Sequence, residues 1–348
     1  IFYCEGGMYK RALVSVSDKT GLFEFLKPLV DKGLVLVSTG GTAQYLRDNK
    51  LPVIDVSEVT QFPEVMDGRV KTLHPKIHMG LLARQDNQQD QNILKQFETE
   101  MFDLVVVNLY PFEASLKKNL SPTEMIEKID IGGPSMLRSA AKSFQRITVI
   151  CDPKDYSRVL EATDQTVNKE QINRELAAKV FQHCSYYDSL IGKYLNPDSQ
   201  EIFHISGKLE KELRYGENPH QKARWYSVAS TSPGFQDCEI IQGKELSYNN
   251  LLDLDAALTL SLEISEPNAI AVKHNNPCGA AYGNDGDDVI QRLVITDPVS
   301  IFGGIVATNC IVTQAMAEDL GKIFLECIVA PEYSPQALDV FAKKKNLR

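Results

Sequence analysis

Short runs of branched apolar residues alternate with amphipathic stretches through the first two hundred positions of the chain. Arg11-Ala12-Leu13-Val14-Ser15-Val16 has strand character, and Leu22, Phe25, Leu26 and Leu29 follow at helical spacing. Leu34-Val35-Leu36-Val37 and a helix over 43–49 repeat that βα logic, and Val53-Ile54-Asp55-Val56 is a third short strand. Asp103-Leu104-Val105-Val106-Val107-Asn108 is a continuous branched run, as expected of a strand buried on both faces. The spacing predicts helices over 123–129 and from about 131 to 144, then a strand over 147–151. Apolar residues at 172, 176, 180, 184, 187 and 191 predict one long helix over 168–195.

The pattern changes after a polar stretch at 196–206, which reads as a linker. Leu213-Arg214-Tyr215-Gly216-Glu217-Asn218-Pro219-His220-Gln221 reads as a dense polar loop, and a helix is expected over 253–262. Strands at 269–272, 305–307 and 327–331 and a helix over 335–345 complete the expectations, with Leu347-Arg348 read as the start of a further strand. Lys273-His274-Asn275-Asn276-Pro277-Cys278-Gly279 reads as a loop leaving the first of these strands. Residues 1–7 precede Met8 and read as a leader or scar, so the expected domains are 8–200 and 206–348.

Composition adds bounds to this α/β picture. The chain has 348 residues, 43% hydrophobic and 24% charged, which suits a globular protein of two domains. No apolar run approaches a membrane span and no signal peptide is evident, so a cytoplasmic protein is expected. A net charge of -9 disfavours nucleic-acid binding and makes local basic clusters read as sites for small anions. Seven cysteines without a CxxC pair suggest neither a disulfide framework nor a cysteine-rich zinc site.

The basic cluster is Gly68-Arg69-Val70-Lys71-Thr72-Leu73-His74-Pro75-Lys76-Ile77-His78, which has no amphipathic period and offers anion-binding donors. A metal pair at His74 and His78 is disfavoured, because Pro75 opposes a helical His74 and no Glu follows as in HExxH. Ser38-Thr39-Gly40-Gly41-Thr42, between a strand and a helix, reads as a phosphate cradle rather than a Walker or dinucleotide motif. Asp130-Ile131-Gly132-Gly133 opens a second helix in the same manner. Asn108-Leu109-Tyr110 leaves a strand at its carboxyl end, where open α/β sheets bind ligands. Lys273 and His274 pair an ammonium able to steady an oxyanion with an imidazole able to take a proton. A zinc deaminase signature fails here, since no Glu follows His274 and no second Cys follows Cys278.

Gly68–Pro75, Asn108–Phe112, Asp130–Gly133, Arg214–Gln221 and Lys273–Gly279 together resemble the bacterial form of the bifunctional family that joins an AICAR transformylase to an IMP cyclohydrolase. The resemblance runs from about Met8 to Arg348. It implies an N-terminal methylglyoxal-synthase-like domain with a parallel sheet that closes FAICAR to IMP without a metal or cofactor. Catalytic roles would fall to Lys71, Tyr110, Asp130 and Lys142. Ser17, Lys19, Thr20, Thr39, Gly40, Gly41, Thr42, Arg69, Thr72, Asn108 and Ile131 would bind the nucleotide. It further implies a cytidine-deaminase-like region without zinc, in which His274 and Lys273 promote formyl transfer from 10-formyltetrahydrofolate to AICAR, with Arg214, Tyr215, Gly303 and Glu326 at the substrate. A homodimer is implied as well. The family's second deaminase-like unit is not found before Arg348, so a complete cyclohydrolase and half a transformylase are expected. Two other readings carry distinct predictions: a non-catalytic phosphate sensor of the methylglyoxal-synthase type, and methylglyoxal synthase itself.

Overall fold

The computed structural model describes residues 8–118, 120–164, 169–197, 205–228 and 235–348. The expected leader at 1–7 and most of the expected linker at 196–206 lie outside the described residues. The chain divides into two compact units, the first ending at Ser206 and the second beginning at Gly207. Among the described residues, no helix is long and apolar enough to cross a membrane.

The first unit runs β1 (Arg11–Ser15), α1 (Leu22–Asp31), β2 (Val35–Ser38), α2 (Gly40–Asp48), β3 (Val53–Asp55), α3 (Val56–Thr60), α4 (Pro75–Leu82), α5 (Gln88–Gln96) and β4 (Leu104–Val107). It continues with α6 (Phe112–Leu116), α7 (Pro122–Ile126), α8 (Gly132–Lys142), β5 (Thr148–Ile150), α9 (Tyr156–Asp164) and α10 (Lys169–Leu195). The strands form a parallel sheet in the order β3-β2-β1-β4-β5. Ala12, Val14, Leu104 and Val106 join one core with Leu22, Phe25, Leu26 and Leu29 of α1 and Leu176 of α10. Their neighbours Leu13 and Val105 are equally buried, as the two-residue period of a strand covered on both faces requires. Phe25 stacks on Tyr156 of α9 with ring centroids 4.5 Å apart.

The two edges of this sheet differ. Strand order reverses between β1 and β4, so the crevice for ligands lies where those strands end. Ser15 pairs with Val107 there, and the segments leaving β1, β2 and β4 emerge side by side. At the opposite edge Asp103 accepts the backbone N–H groups of Lys10 and Arg11. Arg146 donates to the carbonyls of Gly80, Leu81, Ala83 and Phe102. One edge is closed by side chains and the other is left open.

The basic stretch is not one loop. His74 is extended, as Pro75 requires, and its Nδ1 accepts the Lys76 N–H, so it caps α4 while Pro75 takes the first helical position. The helix α5 was not foreseen from the sequence.

The second unit holds β6 (Gly207–Leu213), β7 (Ala223–Val228), α11 (Tyr248–Leu262), β8 (Asn268–Lys273), β9 (Asn276–Tyr282), α12 (Gly286–Thr296), β10 (Ile305–Thr308), α13 (Gln314–Gly321), β11 (Cys327–Val329) and α14 (Pro335–Phe341). β6 and β7 form an antiparallel ribbon, and the other strands make a mixed sheet in the order β11-β10-β8-β9. The expected loop at 273–279 is instead a tight hairpin: Lys273 pairs with Asn276 across the two residues His274 and Asn275. Both have positive φ, 54° and 60°, which a two-residue hairpin turn of type I′ demands. Arg348 exchanges backbone hydrogen bonds with Glu326 and Ile328 along β11.

Candidate functional sites

In the first unit the crevice is built around the amino end of α2. Its N-cap residue Thr39 makes no side-chain capping bond, so the first N–H groups of the helix point outward unclaimed by its own cap. The Lys71 Nζ lies so close that a Cβ placed on Gly40 would stand 2.9 Å from it. A cation at the positive end of a helix is unfavourable by itself. An anion between the two would satisfy both, and here Glu64 serves as a counter-ion at 3.4 Å. Arg69 is ion-paired with Glu127 on the surface.

The next residue of the same loop reaches the second glycine pair. A Cβ on Gly132 would meet the Thr72 Oγ1 at 2.5 Å, so the loop lies directly on the amino end of α8. His78 fixes this approach from behind: its ring hydrogen-bonds the Thr72 backbone, and its Nδ1 lies 3.1 Å from the Ser139 hydroxyl. Burial lowers the His78 pKa, so the imidazole serves as a neutral clamp. His74 through its Nδ1 and His78 through its ring thus hold separate structural partners.

Asn108 ties the exits of β4 and β1 together. Its Oδ1 accepts the Ser17 N–H, the Ser17 hydroxyl and the Asp18 N–H, and its Nδ2 donates to the Asp18 carbonyl. Thr20 donates its N–H to Asp18, and Lys19 is half-buried beside it. Thr42 is buried, with its hydroxyl both accepting from and donating to the Val16 backbone, so its side chain holds α2 against β1.

Asp130 stands at the start of α8. Its carboxylate accepts the Gly133 N–H at 2.8 Å and the Tyr110 backbone N–H. Burial raises its pKa above the ordinary carboxylate value, a rise only partly offset by those two donors. Tyr110 is also raised, by burial first and then by the Asp130 charge, although its ring stays half exposed. Ile131, the N-cap of α8, is exposed. Lys142 is not brought to this group. It ends α8, roughly 15 Å along the axis from Gly132, in a cleft with Arg138, Phe144, Arg174 and Phe181.

The second unit gathers its polar residues on α11. Ser247 caps the helix in a reciprocal pair with Asn250. Asn250 also donates to Glu326 at 2.7 Å. One turn further, Asp253 accepts the backbone N–H groups of His274 and Asn275 at 3.2 and 2.6 Å, holding the strained hairpin turn. The Lys273 Nζ donates to the Phe302 carbonyl at 2.8 Å, next to Gly303, whose φ of 75° suits glycine. Arg214 folds over the Tyr215 ring, 4.7 Å from its centroid. Their loop docks on the lead into α11 through Arg214 N to Leu246 O and Tyr248 N to Tyr215 O.

Glu64, Tyr187, Asn250 and Asp253 escaped the sequence reading as site residues. Tyr187 is read there only as one position of an apolar helical stripe, and no local signal marks Asp253 as the partner of a hairpin 21 residues away. Among the described residues, no group of three or more His, Cys, Asp or Glu is placed to hold a metal ion.

A parallel sheet with two glycine-led helix starts at its switch point gives the first unit the architecture of open α/β ligand-binding domains. Residues 21–135 match the model of the MGS-like domain, and residues 140–348 match that of the AICARFT/IMPCHase bienzyme. A protein of Thermoanaerobacter sp. (strain X514), named bifunctional purine biosynthesis protein PurH, is 50% identical over 347 residues, covering 98% of this chain and 68% of its own length. The protein of that name from Bacillus cereus (strain 03BB102) is 51% identical over 348 residues with the same coverage. A solved structure titled ForH aligns with 54% of this chain and 100% of its own, at 30% identity and a TM-score of 0.49. The chain belongs to the family of bifunctional purine biosynthesis proteins PurH.

Proposed function

We propose that the first unit closes FAICAR to IMP and that the second takes part in formyl transfer from 10-formyltetrahydrofolate to AICAR, the two reactions that complete IMP. The observation that carries the first assignment is the convergence of Lys71 on Gly40 and of Thr72 on Gly132. It joins a basic loop to two helix starts at a single crevice. The nucleotide phosphate takes the N–H groups at the start of α2, with Ser17, Thr39 and Lys19 around it.

Ring closure joins the carboxamide nitrogen of FAICAR to its formyl carbon. The nitrogen is a poor nucleophile, so holding the two groups in contact supplies much of the rate. The addition places negative charge on the former formyl oxygen, which the Lys71 ammonium steadies. The carboxamide nitrogen gives up one proton and the formamide nitrogen the other, the oxygen leaves as water with both, and Asp130, with Tyr110 against it, carries protons between them. In the second unit His274 takes a proton from the attacking AICAR amine while Lys273 steadies the oxyanion, with Arg214, Tyr215, Gly303 and Glu326 as nucleotide contacts.

Incubation of the chain with FAICAR, followed by chromatography for IMP, tests the first assignment. Turnover that Lys71→Met abolishes is the expected result. Binding of IMP without any turnover of FAICAR would leave a sensor module instead, and conversion of dihydroxyacetone phosphate would favour methylglyoxal synthase.

A further inference from the structure

Tyr187 is a buried residue of α10 with a polar tip that the ring-closure chemistry does not use. Its phenolic oxygen accepts the Asp130 backbone N–H at 2.8 Å and donates to the Lys128 carbonyl at 3.1 Å. Its ring meets that of Phe112 edge-on, with centroids 6.1 Å apart. Phe112 opens α6 just beyond Tyr110 and Pro111. A single side chain therefore touches both the segment that carries Asp130 and the element that follows Tyr110. Asp130 and Tyr110 meet in turn through the Tyr110 N–H.

We propose that Tyr187 is a positioning residue of the ring-closure site, fixing the 128–130 backbone through its hydroxyl so that the Asp130 carboxyl stands against Gly133 and Tyr110. The proposal rests on the reading of the first unit as the cyclohydrolase. Space at the contact is tight: a Cβ on Gly133 would lie 2.4 Å from the Asp130 Oδ2. The carboxyl lies directly against the Gly133 backbone, a contact that only a glycine permits. Removing the hydroxyl leaves the Asp130 N–H and the Lys128 carbonyl without this partner at a part-buried spot. Water must then enter or the segment must move. A displacement of about 1 Å at a reacting group costs on the order of a hundredfold in rate. Burial pushes the Tyr187 pKa up to about 12, so the phenol keeps its donor proton throughout the working range. The titratable and charged groups that face this spot include Tyr110, Asp130, Arg138, Cys184 and Asp188.

The test is Tyr187→Phe in the full chain, assayed for IMP formation from FAICAR across pH. The expected result is a kcat lower by about tenfold or more with KM changed less than about twofold. The acid limb of the kcat profile should also move to lower pH, because a hydrated Asp130 loses part of its raised pKa. If the hydroxyl only stabilised the fold, its loss would lower the melting temperature and leave that limb in place, which would overturn the positioning role. Native kcat and an unmoved limb in Tyr187→Phe would overturn the positioning role while leaving the cyclohydrolase reading intact. An inactive native chain would sink the cyclohydrolase reading and the positioning role with it. Should Tyr187→Phe fail to fold, 3,5-difluorotyrosine at 187 keeps the shape and acidifies the phenol. It should introduce a loss of kcat at alkaline pH, and the lack of such a loss would overturn the proposal.

Discussion

A methyl group added at Gly40 would stand 2.9 Å from the Lys71 ammonium, on a backbone with φ of +55°. Gly40→Ala therefore combines left-handed strain of about 1–2 kcal/mol with a displaced lysine. We expect IMP affinity to fall about tenfold, read by titration calorimetry; unchanged affinity would remove Lys71 from the anion pocket. At Asp130 the pH sign is opposite to that of a salt-bridged carboxylate. Burial raises its pKa above 3.8, so the folded chain holds this proton more tightly than the unfolded chain. The associated stability is present below the ordinary value and lost as pH rises through the folded one. Asp130→Asn should thus melt higher than the native chain at about pH 7, match it at about pH 3, and close FAICAR about a hundredfold more slowly. A lower melting temperature at neutral pH would contradict this. The residue types of this site were legible because glycine pairs, hydroxyls and cations without a helical period serve no core. Their supports were not: Tyr187 looks like any apolar helix position until its hydroxyl is seen 2.8 Å from a backbone N–H 57 residues away.

Among the elements, α11 organises the second unit through Ser247, Asn250 and Asp253, spaced one turn apart on one face. Ser247 is buried, and Ser247→Ala removes both the cap and the partner of Asn250. A loss of about 1–2 kcal/mol is expected in urea unfolding, with Asn250 freed from its contact to Glu326. A loss confined to a few tenths would show that Asn250 holds its place alone. Helices α1 and α10 were legible from their apolar spacing, and β4 from its unbroken branched run. The ribbon β6-β7 was not, because its residues are exposed or half-buried along the length of both strands and no hydrophobic period is written where no face is buried. The hairpin after β8 was read as a loop for a related reason. Its turn is made by His274 and Asn275 without the glycine that normally signals positive φ. The carboxylate that holds it comes from α11, which no local pattern reports.

On the scale of the whole molecule, an overall charge of -9 coexists with a first-unit crevice that the Lys71 ammonium enters, while Arg69 of the same stretch pairs with Glu127 on the surface. The charge that an anionic substrate would meet is thus a local property, legible from the clustering of cations in the sequence and invisible in the total. The two edges of the parallel sheet lend themselves to a further prediction. Arg146 serves four carbonyls at the closed edge, and Arg146→Ala should cost about 2–4 kcal/mol while KM for FAICAR is unchanged. A shifted KM would mean that the edges are coupled. If they are independent, the sheet gives the protein a division of labour along its strands. A laboratory seeking a hardier enzyme can then randomise around Arg11, Asp103 and Arg146 and screen for solubility alone. Substrate preference would remain to be tuned separately, in a library drawn from the loops at the other end.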